Sequence, residues 1–303
     1  MAFTSDSVQV FLAVLDHGSF SAAARSLRRV PSAVSMAMAN LEAELQLTLF
    51  DRGGREPVPT AAARALEPQA RQLAAQLRQL DAHALALTQG LEERLAIAIA
   101  PELLSAPWSA PLAQLAAEYP LLQVEVLVAP QADALALLHA GRVQLSLVFE
   151  RPSLDGRESF QEVGNETLVA VMAPTHPALV AAGPGGTLRE EHLTNTRQII
   201  VAGRDTGSSD PRVIFARHIW RTDNPVAALG LLEAGLGWGW LPRSFVRSQL
   251  AGGTLVEIPL LGLTNSMALY VDVVWSLERP MGLGARRFVE LMQQAREARH
   301  AGR

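Results

Sequence analysis

The chain has 303 residues, of which 49% are hydrophobic and 18% charged, and this length suits two domains, or three small ones, better than a single core. All 26 basic residues are arginine and cysteine is absent. The chain therefore has no P-loop lysine, Schiff base, thiolate nucleophile, disulfide or cysteine-ligated zinc. Residues 1–90 carry eight arginines and eight acids, and residues 91–303 carry eighteen and twenty-two. Neither part has the bulk basicity of a strong phosphate binder, so a nucleic-acid role rests on where individual arginines sit.

No apolar run approaches the roughly 18 residues that span a bilayer, and residues 1–6 show neither a basic leader nor an apolar signal core, which leads us to expect a cytoplasmic protein. Val8, Phe11, Leu12, Val14 and Leu15 fall at helical spacing and predict a helix over residues 7–15, ended by Gly18. Ser19-Phe20-Ser21 starts a second short helix with residues 22–27 as its body. Pro31-Ser32 opens a third, with Val34, Met38, Leu41 and Leu45 on one face. Gly53, Gly54, Pro57 and Pro59 make residues 49–60 a turn or small hairpin. Helix, short helix, turn, helix and hairpin is the order of a winged helix-turn-helix.

Residues 60–89 are rich in Ala, Leu, Gln and Arg and favour one long helix. Leu66, Leu73, Leu80 and Leu87 recur every seven residues, with Ala70, Leu77 and Ala84 between them. This is an a/d seam over three heptads, suited to pairing with a second chain. The alternative is a single helix packed on its own domain. Pro68 could mark a bend.

Beyond Gly90, residues 95–100, 123–129 and 145–149 read as strands, with helices over 111–118 and 131–140 between them. Residues 167–172, 198–202, 213–219 and 237–241 read as a second set of strands. Between the last two, Asn224 is placed to cap a helix with Pro225 at its first position and Gly235 beyond its end. Residues 268–275 form one more strand and 284–299 a closing helix. Strands alternating with helices imply parallel βαβ units.

A resemblance becomes specific at Val10-Phe11-Leu12-Ala13-Val14, His17-Gly18-Ser19-Phe20-Ser21-Ala22-Ala23-Ala24, Ser32-Ala33-Val34-Ser35, Leu41-Glu42-Ala43-Glu44-Leu45 and Leu49-Phe50-Asp51-Arg52. Together these resemble the LysR-type transcriptional regulators, and the long helix and the later α/β pattern extend the resemblance over nearly the whole chain. It implies an α/β protein in three parts: a winged helix-turn-helix DNA-binding domain over 1–62, a dimerisation linker helix over 63–90 and a two-lobed effector domain over 91–303. That last part resembles periplasmic solute-binding proteins, with lobe I about 91–163 and 268–303 and lobe II about 164–267.

In a helix-turn-helix the second helix lies in the major groove and its N-terminal residues reach base edges or phosphates. Pro31, Ser32, Ser35 and Met36 occupy that position, Arg28 and Arg29 precede it, and Arg52 and Arg55 lie on the hairpin. The resemblance implies that Ser32, Ser35 and Arg52 match DNA-contacting positions. Read alone, the serines could equally cap or solvate a helix. Met36, Ala37, Ala39 and Asn40 replace the usual polar or basic residues, and a face so poor in donors suits thymine methyls and shape. Pro59 and Ala63 depart from common residues after the wing.

In open parallel sheets ligands bind beyond the carboxyl ends of strands. This places an effector cleft near Ala100, Pro101, Glu102, Phe149, Ala202, Gly203, Thr222 and Asn224. Glu102 disfavours a plain anion, or else is a solvated acid at a helix terminus. Phe149 and a nearby tryptophan suggest stacking, or core.

Gly235-Leu236-Gly237-Trp238-Gly239 lies in the wrong order for dinucleotide binding. Asp205-Thr206-Gly207-Ser208 matches the local aspartic-protease signature, but as a single copy without an apolar strand before it. The histidines show no pair at metal-ligand spacing and there is no Gly-x-Ser-x-Gly elbow. No catalytic site, metal or cofactor is expected. The resulting expectation is a ligand-responsive, sequence-specific DNA-binding regulator, paired through Leu66, Leu73, Leu77, Leu80 and Leu87 as a homodimer or homotetramer. Its partners would be double-stranded DNA, a small-molecule effector and RNA polymerase, with no membrane. The alternatives are a solute-binding protein on the same two-lobed fold and an aspartic-type hydrolase.

Overall fold

The computed structural model describes residues 3–53, 56–151, 155–183, 185–203, 211–262 and 264–301. The chain forms two compact units, one ending at Thr88 and one beginning at Gln89.

The first unit is mainly helical. Helix α1 (Ser5–His17) starts in a capping box between Thr4 and Ser7 and stops at Gly18, whose φ of 61° suits a residue without Cβ. Helix α2 (Phe20–Ser26) is capped by the Ser19 hydroxyl, which accepts from the Ala22 N–H. The turn to α3 (Pro31–Leu45) places Arg28 at φ 54°, a left-handed conformation unusual for a side chain of this kind. Strands β1 (Phe50–Asp51) and β2 (Val58–Pro59) pair as a small antiparallel wing before α4 (Ala61–Thr88). Pro68 lies inside α4 without ending it. Val8, Phe11, Val34, Met38, Leu41 and Phe50 form the core, and the rings of Phe11 and Phe20 each stand edge-on to Phe50 with centroids 6.0 Å apart.

The second unit is one mixed sheet with helices packed on it. In chain order it comprises β3 (Arg94–Ile99), α5 (Ser109–Glu118), β4 (Gln123–Val128), α6 (Gln131–His139), β5 (Leu145–Phe149) and β6 (Glu158–Met172). Helices α7 (Pro177–Ala182) and α8 (Glu190–Asn195) lead to β7 (Gln198–Val201), β8 (Ile219–Thr222), α9 (Pro225–Glu233) and β9 (Trp238–Pro242). Helix α10 (Arg247–Gly252), β10 (Val256–Glu257), β11 (Met267–Ser276) and α11 (Leu283–Ala301) complete it. The strand order is β4-β3-β5-β11-β6-β9-β7-β8, with β10 also paired to β6.

The expected parallel units are present at both ends of this sheet. Strand β3 lies parallel between β4 and β5, and β7 lies parallel between β8 and β9. The middle is different: β11 and β6 are antiparallel to each other and to their outer neighbours. Strand β11, which comes from the far end of the chain, inserts between β5 and β6 and runs antiparallel to both. Strand β6 also starts nine residues before the expected 167, because its polar first half gains a ladder with β11 that no apolar run announces.

Cores lie on both sides of this crossing. Leu95, Ile97, Leu147, Val273 and Phe288 belong to a first cluster, whereas Val169, Val171, Leu232 and Leu241 form a second and Met172, Leu193 and Trp238 a third. A further correction concerns 213–219, expected as a strand. Pro211–Val213 form a 3-10 turn and the strand starts only at Ile219. The fully buried Gln198 side chain accepts the N–H groups of Phe215 and Ala216 at 2.9 and 3.1 Å and so takes the place of a strand ladder there.

Candidate functional site

Helix α3 buries Val34, Met38 and Leu41 and turns the opposite face outward. Ser32 and Met36 are exposed there, Met36 to 64%, and Ser35 is half-buried between them. These positions, spaced i, i+3 and i+4, share one face. Neither serine caps the helix. The residue before it is Val30, no side chain bonds its first turn, and Pro31 contributes no N–H. The first-turn N–H groups that follow lie on the same outward end as the two hydroxyls.

The wing is held to α3 by Glu42. Its Oε1 accepts the N–H groups of Leu49 and Phe50 at 2.7 and 3.0 Å, and its Oε2 accepts from Arg52 at 2.7 Å. The Arg52 guanidinium also lies 5.0 Å from the Phe20 ring centre. Arg52 is thus oriented rather than free, with its side chain still 41% accessible. The sequence motif contained Glu42, but only the fold reveals that it positions Arg52. Arg28 is exposed. Arg29 pairs with Asp6 on α1, which raises the guanidinium pKa and lowers that of the carboxyl, so a phosphate at Arg29 would compete with an existing partner. Arg55 lies outside the described residues.

The heptad seam of α4 separates into two uses. Leu66 packs with Ala63, Ala70 and Ala74 on the core of its own unit, which corrects its expected place in the seam. Helix α1 occupies that end of α4, and Arg71 is tied to Asp16 at 2.5 Å. Farther along, Leu73, Leu80 and Leu87 are exposed to 38, 56 and 46%, with Leu77 half-buried.

In the second unit an open cleft of about 740 Å³ lies where β3, β4 and β8 end. Pro101 and Asn224 line it as expected. Asn224 caps α9 by accepting the Val226 N–H at 2.8 Å, and Thr222 fixes the turn by accepting the Asn224 N–H at 3.2 Å. Gly203 lies so close to α6 that a Cβ there would stand 3.1 Å from Asp133 Oδ1.

Other expectations need correction. Phe149 is buried in the core, and its N–H donates to Gln131 Oε1, so it offers no ring for stacking. Ala100 and Ala202 are buried, and their N–H groups donate to Leu147 O and Thr222 O. Glu102 is not a solvated terminal acid: its carboxyl is buried, which pushes its pKa up to about 7. Leu104, Val128, Asp133, Leu137, Val226 and Phe245 also line the cleft. Val128 is the last residue of β4 and so occupies a strand-end position like the other cleft residues. Leu137 and Phe245 arrive from helix and loop positions that carry no such signal. Asp205-Thr206-Gly207-Ser208 lies outside the described residues.

Among the described residues, His139, Asp155 and Glu158 could together hold a metal, their ligand atoms lying within 4.8 Å of one another. Histidine spacing could not reveal this trio, since His139 ends α6 while Glu158 begins β6 and Asp155 lies just before it. Asp155 already pairs with Arg157 at 2.7 Å and Glu158 with Arg151 and His139. The trio therefore behaves as an ion-pair network.

The family model described as bacterial regulatory helix-turn-helix protein, lysR family, matches residues 5–64, and that described as LysR substrate binding domain matches residues 88–297. The chain is 42% identical over 98% of its length, and 98% of the relative's, to the HTH-type transcriptional regulator AceR of Acinetobacter baumannii. It is 28% identical to the multiple virulence factor regulator MvfR of Pseudomonas aeruginosa, covering 96% of this chain and 85% of that one. Among solved structures, ArgP from Mycobacterium tuberculosis shares the fold with a TM-score of 0.53 at 22% identity, covering 96% of both chains. CrgA from Neisseria meningitidis does so with 0.51 at 18%, covering 97% of this chain and 99% of that one.

Proposed function

The chain belongs to the LysR family of bacterial transcription regulators, and on that premise we propose that α3 enters the major groove while the wing reaches the flanking backbone. The protein is a ligand-responsive, sequence-specific DNA-binding regulator. Neither a transport protein on the same lobes nor a hydrolase is favoured.

The observation that carries the assignment of residues is the outward face of α3 beside an oriented Arg52. Ser32 and Ser35 offer hydroxyls to phosphate or base, and Met36 offers an apolar surface suited to a thymine methyl. Arg28 and Arg52 supply cations for phosphates. Two such units address two half-sites of a pseudo-palindrome when α4 pairs two chains through Leu73, Leu77, Leu80 and Leu87. The assembly is a homodimer or homotetramer, and it acts in the cytoplasm with RNA polymerase as its further partner. Among the described residues no helix is long and apolar enough to cross a membrane.

The cleft at the strand ends takes the small-molecule effector. Binding there shifts the regulator between states only by the difference in the effector's affinity for them. Retardation of the gene's own upstream DNA tests the reading. Specific retardation by the full chain, weakened by Ser35→Ala and by Arg52→Ala with little change in thermal unfolding, is the expected result. Absence of specific retardation at every salt concentration would overturn it.

A further inference from the structure

The ladder between β6 and β11 slips by one residue at Val271/Asp272: Val271 pairs with Gly164 and Asp272 with Glu162, which leaves Val163 as the extra residue of a bulge. A cavity of about 130 Å³ opens beside it, with Val163, Gly164 and Val271 on its wall. Well-packed interiors hold few voids larger than a water molecule. This cavity shares no lining residue with the larger cleft at the strand ends, so what it binds is a separate question from what that cleft binds.

Helix α11 supplies the polar part of the wall. Met292, Arg296 and Arg299, at steps of four and three, share the helix face turned to the cavity. Arg296 is already paired with Glu162 at 2.5 Å. The acid on the wall, Glu166, is engaged as well: its Oε1 accepts the Thr167 N–H at 3.1 Å and its Oε2 the Ser244 hydroxyl at 2.9 Å. Arg299 is exposed and donates to two carbonyls, Ala295 O at 3.1 Å and Val163 O at 3.2 Å. Among the described residues no carboxylate pairs with it. Within 4 Å a Cβ at Gly164 would meet Arg299 Nη2 alone, at 3.8 Å, so the space between β6 and this guanidinium is open.

We propose that this cavity is a second small-molecule site, for a carboxylate carried on an apolar body the size of one ring. The carboxylate meets the Arg299 guanidinium, a fork that suits a planar two-oxygen anion. The body rests on Trp108, Val163, Val271 and Met292. An apolar cavity of about 150 Å³ holds a benzene ring, so a single ring fills this one. The Trp108 indole is tied back by donating to Leu104 O at 3.2 Å, and its ring reports directly on what enters.

The test uses the full-length protein and three probes of one shape that differ in charge: cyclohexanecarboxylate, cyclohexylmethanol and cyclohexylmethylammonium. Each is titrated at constant ionic strength into the tens of millimolar, and binding is read by calorimetry and by indole fluorescence. The carboxylate is expected to bind roughly tenfold or more tightly than the alcohol, the order of one charge-assisted hydrogen bond, with the ammonium weakest. Arg299→Gln erases that advantage and Arg299→Lys keeps it in weakened form. Gly164→Val, which fills the cavity, abolishes binding with little change in thermal unfolding, and Trp108→Phe removes the fluorescence change while calorimetry still records binding. Equal or tighter binding of the alcohol or ammonium, an advantage that survives Arg299→Gln, binding that survives Gly164→Val, a fluorescence change that survives Trp108→Phe, or no binding by any probe overturns the proposal. Specific DNA retardation by the same preparation shows that the regulator reading stands even where this site falls.

Discussion

Glu42 and Glu102 are both acids with apolar residues on either side in the sequence, yet the fold gives them opposite roles. Glu42 binds two wing N–H groups and Arg52, so Glu42→Gln should loosen Arg52 and weaken specific DNA binding. Retardation assays beside thermal melts would check this, and a melt shift as large as the loss of binding would make Glu42 merely structural. Glu102 has a folded-state pKa near 7 against 4.5 for the free side chain. The folded protein therefore holds a proton that the unfolded chain releases. This contribution to stability is fully present below about pH 4.5 and is lost as the pH rises through 7. The shift corresponds to roughly 3 kcal/mol. Asp272 is raised too, to about 6, chiefly by burial, and acts in the same direction. Unfolding midpoints should thus fall between pH 5 and 8, and Glu102→Gln should flatten most of that fall while stabilising the protein at pH 8. An unchanged pH profile in Glu102→Gln would count against a buried, protonated carboxyl.

At the scale of elements, α4 was readable as a helix but not as a helix with two faces of different use. Propensity and heptad spacing belong to α4 alone, whereas the packing of α1 against its first turns does not. Two kinds of substitution should separate these uses. Leu66→Ala should destabilise the first unit by roughly 2 kcal/mol and leave assembly intact. Leu73→Asp with Leu80→Asp should dissociate the oligomer and leave the melt of the first unit nearly unchanged. Sedimentation and thermal melts on both variants would decide, and an intact oligomer in the double variant would refute the seam. Helix α9 was legible because its signals are local: Asn224 caps it, Pro225 begins it and Gly235 follows it at φ 71°. Asn224→Ala should cost about 1 kcal/mol of that cap, and because Asn224 also lines the cleft, effector binding should weaken with it. The glycine run before β9 also has a packing reason. Side chains at Gly237 and Gly239 would strike the carbonyls of Arg197 and Ile199 at 2.5 and 2.6 Å, so these glycines let β9 approach β7.

Across the whole molecule, net charge governs how the protein meets DNA. Residues 1–90 balance eight arginines with eight acids, and Arg29, Arg71 and Arg52 are held in ion pairs, Arg52 with its side chain still 41% accessible. With Arg28, Arg52 and Arg55 as the candidate phosphate contacts, the log–log salt slope should be near −3 per subunit. Tight binding then depends on joining subunits. A slope several times steeper, measured with an oligomerisation-deficient chain, would contradict this. Periodicity, caps and turn residues are properties of neighbours in the chain, and they determined the helix-turn-helix, the long helix and the strands that alternate with helices. Tertiary structure alone decided the antiparallel middle of the sheet, the burial of Phe149, the pairing of Arg29 with Asp6 and the burial of the Glu102 carboxyl. Each of those depends on which distant segment closes over a side chain, and with it on the water that segment removes and the partner it brings.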